Sequence, residues 1–151
     1  MKKIILFSLL LLTVSSCVKL EEIKIKDAKI DNVSIKTMSN ISFNLVLKIE
    51  NANKKNIIID DVELDIWLGE TYLGLLESTN KTTLPSQFNG DFAIPLQASI
   101  SNLAALTAIG SNFDNMLDKF EVIGFVKVKA GAFTKKHKVT KTTIKDLLRS
   151  L

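Results

Sequence analysis

The stretch ISFNLVLKIE, residues 41–50, sets Ile41, Phe43, Leu45, Leu47 and Ile49 at alternate positions, with Ser42, Asn44, Lys48 and Glu50 between them. In an extended chain successive side chains point to opposite faces, so this order makes one apolar face and one wet face. A half-buried antiparallel strand carries that pattern. The same period of two recurs in DVELDIWLG (61–69), with Val62, Leu64, Ile66 and Leu68 inward, and in FNGDFAIPLQ (88–97), with Phe88, Phe92, Ile94 and Leu96 inward.

Working outward, LEEIKIKDAKI (20–30) supplies an early strand through Ile23 and Ile25. ETYLGLLES (70–78) supplies another, joined to its predecessor by a two-residue turn at Gly69-Glu70. FEVIGFVKVKA (120–130) and FTKKHKVTKTTI (133–144) flank Ala130-Gly131-Ala132 and read as a hairpin. Pro95 has no N–H to donate, so its strand is expected at a sheet edge or at a bulge. The count comes to seven strands.

One segment follows a different period. In SISNLAALTAIGSNFDNMLDKF (99–120), Leu103, Leu106, Ile109 or Gly110, Phe113, Met116 or Leu117, and Phe120 recur every three to four residues, which predicts an amphipathic helix with Ser99 or Ser101 as its N-cap. Phe113 and Met116 are expected to face the core rather than a membrane or a partner. The fold class expected from these elements is mainly β, a seven-stranded antiparallel sandwich with one α-helix between the fifth and sixth strands.

Ahead of the first strand, Lys2 and Lys3 precede the apolar run from Ile4 to Leu12, and Ser15 and Ser16 stand before Cys17, the only cysteine among 151 residues. Charged, apolar and small-residue regions in that order read as a secretory signal. The run is too short for a membrane span, which needs about 20 apolar residues. LTVSSC (12–17) resembles the lipobox of bacterial lipoproteins. That resemblance implies cleavage before Cys17 and lipid on its thiol, with more than one acyl chain giving a stable anchor. A lone cysteine cannot form an intramolecular disulfide.

The expected organisation is therefore a signal peptide over 1–16, a lipidated tether over 17–22 and a β-sandwich domain over 23–151. Removing residues 1–16 from 151 leaves 135, enough for one domain with one core. Loss of Lys2 and Lys3 takes the formal charge from +4 to +2, so the chain is close to balanced. Val18 is not the aspartate that retains some lipoproteins at the inner membrane, and an outer-membrane location follows from the resemblance.

LKIENANKKNIIIDDVELDIWLGETYLGLLES (47–78) resembles the late embryogenesis abundant type 2 domain, also called the water-stress and hypersensitive-response domain. Leu47, Ile49, Asn51, Asn53, Ile57, Gly69 and Gly74 fall on its pattern, while Ala52 stands where a proline is usual. The resemblance extends over most of residues 20–145. It implies a fibronectin- or immunoglobulin-like sandwich, no enzymatic activity, no cofactor, and a binding or stress-protective role. Asn51 and Asn53 are expected to serve their turn, since asparagine side chains bond nearby backbone.

Signals for chemistry are sparse. Asp60, Asp61, Glu63 and Asp65 form an acidic set, but a straight strand holds alternate side chains nearly 7 Å apart at a rise of about 3.3 Å per residue, too far to converge on calcium. A solvated outer face is expected. His137, the only histidine, sits among Lys135, Lys136 and Lys138 with no recognisable nucleophile or acid to complete a catalytic set. Lys135, Lys136, Lys138, Lys141, Lys145 and Arg149 lack the interleaved aromatics of single-strand binding, so no nucleic acid is expected. Lysines at this spacing protect an edge strand from pairing with other chains. The partners anticipated are the membrane, through lipid on Cys17, and an envelope protein. Carriage of an apolar ligand between the sheets is the remaining alternative.

Overall fold

The computed structural model describes residues 23–102 and 116–150. Cys17 lies outside them, as do Leu103, Leu106, Ile109, Gly110 and Phe113 of the expected helix. The described elements are β1 (Ile23–Thr37), β2 (Asn40–Asn51), β3 (Ile57–Leu68), β4 (Thr71–Ser78), β5 (Thr82–Leu84), β6 (Phe88–Ile100), α1 (Met116–Lys119), β7 (Glu121–Ala130), β8 (Phe133–Thr143) and α2 (Ile144–Ser150). All strand pairs are antiparallel, in the order β1-β2-β6-β4-β3-β7-β8, with β5 added on β3. The chain is thus mainly β, with eight strands among the described residues. The three-residue β5 is too short for periodicity to reveal.

The alternation in β2 translates directly into burial: Ile41, Phe43, Leu45, Leu47 and Ile49 are all buried. Strand β6 pairs with β2 without interruption from Asn40 opposite Ser99 to Asn51 opposite Phe88, which brings Phe92, Ile94 and Leu96 to the same inner face. Val62, Leu64 and Ile66 of β3 and Val122 of β7 complete the core from the other half of the sheet. These buried side chains form one hydrophobic cluster on the inner face of the sheet. Helix α2 packs against both β1 and β8, the two edge strands, and places Leu147 and Leu148 between them.

Several expectations need correction. Pro95 lies in β6, a central strand flanked by β2 and β4. It is tolerated because β4 ends there: the last β4 partner is Ser78 opposite Leu96, and the Pro95 carbonyl then accepts from the Thr79 N–H at 3.2 Å. In a strand a residue's N–H and C=O face the same side, so the missing donor points where the ladder stops. Ser99 is no helix cap. It belongs to β6, opposite Leu75, and its hydroxyl bonds Asn40 Oδ1 at 3.2 Å. Within the expected helix, Met116–Lys119 is helical, and Leu117 and Phe120 are buried.

Helix α2 was not anticipated, since 133–144 reads as one strand running to the end of the apolar alternation. Its start is nevertheless written in Thr143-Ile-Lys-Asp146: the Thr143 hydroxyl accepts from the Asp146 N–H at 3.1 Å and donates to Asp146 Oδ2 at 2.9 Å. That reciprocal arrangement satisfies an otherwise unpaired first-turn donor. The hairpin turns are as expected. Gly69-Glu70 joins β3 to β4 and Gly131-Ala132 joins β7 to β8, with φ of +59° and +60° at the two glycines.

Candidate functional site

The inner face of the sheet lines a cavity of about 160 Å³. Leu47 and Ile49 from β2, Val126 and Val128 from β7, and Leu147 and Leu148 from α2 are among its lining, and His137 is the only lining residue with a polar side chain. The lining is apolar because it is made by the inward-facing positions of the strands together with Ile144, Leu147 and Leu148. An apolar cavity of this size stays dry and accepts a small apolar molecule; an engineered one of about 150 Å³ takes up benzene or xenon. A surface groove of about 320 Å³ adjoins it, sharing Ile25 and Leu148 and rimmed by Lys26, Asp27, Asp118 and Lys145. Lys145 pairs with Asp118 at 2.7 Å across that rim.

The second distinctive arrangement is on the outer face. Strand β3 carries one residue more than β7 between Ile59 opposite Val128 and Asp61 opposite Lys127, and the extra residue is Asp60. Such a bulge re-aims a side chain. Asp60 points into three lysines, with Lys81 at 2.6 Å, Lys127 at 3.1 Å and Lys129 at 3.3 Å, and its side chain is 5 % exposed. The solvated outer face expected for the acidic set is therefore wrong for Asp60, because the bulge folds it under its neighbours. Hydrogen bonding from Lys81, then Lys127 and Lys129, holds the Asp60 carboxyl well below the usual carboxylate range, and Lys81 is raised in turn by Asp60.

This has a consequence in acid. A carboxyl lowered by folding stabilises the fold fully above its ordinary value near 3.8, and that contribution is lost as pH falls toward the folded value. Asp60→Asn is expected to be less stable than the parent at neutral pH, with the gap narrowing as pH falls below 4. Urea midpoints across that range measure it. A gap independent of pH would mean that the three ion pairs contribute nothing.

The remaining sequence candidates fall as follows. Asp61, Glu63 and Asp65 lie on the outer face of β3, opposite Lys127, Phe125 and Ile123. Among the described residues no group of three or more His, Cys, Asp or Glu side chains could hold a metal. His137 is half-buried on β8, opposite Val126, and looks into the aliphatic cavity rather than toward a nucleophile. Of the basic run, Lys141 pairs with Glu121 at 3.3 Å and Lys145 with Asp118, and the run does lie on the edge strand β8 and on α2. Among the described residues no helix is long and apolar enough to cross a membrane.

Asn51 and Asn53 do serve their turn, and they do so inside the protein, at 1 % and 4 % exposure. Asn51 Nδ2 donates to the Pro85 carbonyl at 2.7 Å, while Asn51 Oδ1 accepts from both the N–H and the Nδ2 of Asn53 at 3.1 and 3.0 Å. The Asn53 carbonyl accepts from the Gln87 N–H at 3.0 Å. Together they tie the β2–β3 connection to the β5–β6 connection. At the other end of β3, Trp67 packs edge-on against Tyr72 at 5.3 Å; burial and the nearby Asp65 raise the Tyr72 hydroxyl above its usual value.

Fold and site together define an antiparallel β protein with an apolar interior. No family model matches the chain, nor does any curated protein. Among solved structures, the chain is similar to a protein from Archaeoglobus fulgidus known from its crystal structure. The TM-score is 0.52 at 10 % sequence identity, over 80 % of this chain and 97 % of that one. At that identity the likeness is one of fold.

Proposed function

We propose that the chain is a non-enzymatic lipoprotein of the cell envelope, anchored in the outer membrane through lipid on Cys17, whose β domain is a binding module for a small apolar group. Its sheet is read as a fibronectin- or immunoglobulin-like sandwich of the late embryogenesis abundant type 2 kind. The observation that carries the binding reading is the cavity on the inner face of the sheet, lined by apolar side chains and His137. Support for the anchor is LTVSSC and the apolar run before it.

Two experiments test the two parts. Radiolabelled palmitate is expected on the wild type and not on Cys17→Ser; label on both would remove the anchor. Benzene or xenon is expected to perturb the methyl resonances of Leu47, Val126 and Leu147 at saturable concentrations. Val126→Phe, which puts a ring into the space, is expected to abolish the perturbation while the protein stays folded. Unchanged resonances in the parent would remove the binding reading.

A second reading, an accessory subunit of an envelope assembly, is favoured by the free edge of β1. There Ile35 is 66 % exposed, and unpaired backbone groups can accept another strand. Crosslinking in intact cells is expected to give a discrete heavier species if this reading holds.

A further inference from the structure

We propose that the rim of the sheet at the β7–β8 hairpin is a docking face for an anionic lipid bilayer, with Phe133 entering the interface. Three connections meet at this rim: 52–56 between β2 and β3, 85–87 between β5 and β6, and Gly131-Ala132 between β7 and β8. The Asn51 bond to Pro85 joins the first two, and Lys55 Nζ reaches to within 3.5 Å of where a Cβ on Gly131 would stand, which joins the third. None of the three contains an acidic residue, and the first carries Lys54 and Lys55, both exposed. Lys135 follows on β8, also exposed, and Lys129 stands opposite Ile58.

Among the described residues no carboxylate comes within 4 Å of the ammonium groups of Lys54, Lys55 or Lys135. Near the opposite end of β7 and β8, Lys141 pairs with Glu121 and Lys145 with Asp118. Even the buried carboxylate near the rim, Asp60, is outnumbered by the three lysines around it. The rim thus carries Lys54, Lys55 and Lys135, with no acidic side chain in its three connections to offset them.

Phe133 is what selects a bilayer over a hydrophilic polyanion. It closes the hairpin opposite Ala130 and is 59 % exposed. An exposed aromatic ring with Lys135 two positions on and Lys55 beside the same hairpin turn suits the headgroup boundary, where the ring enters apolar surroundings and the ammonium groups stay with the phosphates. Chain direction agrees. Strand β1 starts at this rim, with Ile23 opposite Asn51, and the six steps back to Cys17 span at most about 20 Å. A lipid on Cys17 would hold this rim at the membrane. That last argument rests on the anchored reading, whereas Phe133 and the lysines do not.

The test uses the mature chain, residues 17–151, carrying Cys17→Ser, so that neither lipid nor signal peptide contributes and failure here is distinguishable from failure of the anchor. A single cysteine at Ala132→Cys or at Glu70→Cys is labelled with an environment-sensitive fluorophore. The chain is then mixed with phosphatidylcholine vesicles, with or without phosphatidylglycerol. The label at 132 is expected to shift to the blue only with phosphatidylglycerol, reversibly with salt, while the label at 70 stays unchanged. Lys54→Gln with Lys55→Gln is expected to lower partitioning about 25-fold, at about five-fold per lysine. Phe133→Ser is expected to keep salt-sensitive binding but lose the blue shift. No shift at 132, equal shifts at both positions, equal response to pure phosphatidylcholine, or a response to soluble polyglutamate and not to vesicles would each overturn the proposal.

Discussion

Replacement of Gly124 by alanine is expected to unfold the domain or leave it barely folded. Gly124 sits in β7 between Leu64 of β3 and Val139 of β8, with φ at +155°, a value that L side chains seldom adopt. A Cβ there would stand 2.1 Å from the Glu63 carbonyl oxygen and 3.0 Å from Leu64 Cα. Both are backbone atoms of a paired strand, so no rotamer change relieves the overlap. Either the β3–β7 ladder parts or β7 changes its local conformation, and both routes disturb the face that carries Val122 and Val126.

The cost combines backbone strain, about 1–3 kcal/mol, with loss of ladder bonds and packing, so at least about 4 kcal/mol is expected. A domain of this size is stable by only about 5–15 kcal/mol. Gly74 of β4 repeats the geometry, with φ at +157° and a Cβ 2.1 Å from the Ser99 carbonyl, and the same outcome is expected for Gly74→Ala. Gly69→Ala is the control. Its φ is +59° but nothing lies within 4 Å of its Cβ, so only the left-handed conformation is penalised, at about 1 kcal/mol. Urea denaturation followed by near-ultraviolet circular dichroism separates the cases. A Gly124→Ala protein within about 1 kcal/mol of the parent would show that β7 can shift without loss.

Asn51→Ala has the next largest expected effect. The substitution removes the donor to Pro85 and the acceptor for two Asn53 groups, at a position 1 % exposed to solvent. Water cannot readily take over these bonds in a closed interior. Each orphaned buried group costs about 1–3 kcal/mol, so a loss of about 3–5 kcal/mol is expected. Asn53→Ala removes one of the same bonds and one side chain, and a smaller loss is expected. The double variant should cost less than the sum, since Asn51 and Asn53 share a bond. Full additivity would mean that the two asparagines act separately and that the tie between the connections is not cooperative.

The turn role of these asparagines was legible because it is local: a short polar side chain next to its own backbone. Their burial was not, because it depends on Pro85 and Gln87, more than thirty positions away, coming to lie over them. The same division runs through the fold. Alternation in β2, β3 and β6 predicts the buried face residue by residue, and the Gly69-Glu70 and Gly131-Ala132 turns follow from local conformation. The bulges were also written in the pattern, though easily passed over. Inward residues change from odd to even numbers between Ile59 and Val62, and again between Ile25 and Ala28, at two of the places where the ladder shifts register. A shift in the parity of the apolar set is the mark of an inserted residue. Helix α2 was announced by Thr143 and Asp146 and then Leu147 and Leu148, a signal hidden behind the strand that precedes it.

By itself, then, the sequence determined what depends on neighbours along the chain: which segments are strands, which face of each is apolar, where two-residue turns close, and that a lipobox-like stretch precedes the domain. Only the tertiary structure decided what depends on residues far apart. It placed β6 between β2 and β4, which made Pro95 harmless in a central strand. It turned Asp60 from a surface carboxylate into one enclosed by Lys81, Lys127 and Lys129. It left a cavity beside His137, and gathered Lys54, Lys55, Lys135 and Phe133 at one rim. Strand order and the packing of one sheet half on the other arise from long-range contacts, and periodicity within a single strand carries no record of which strand will lie beside it.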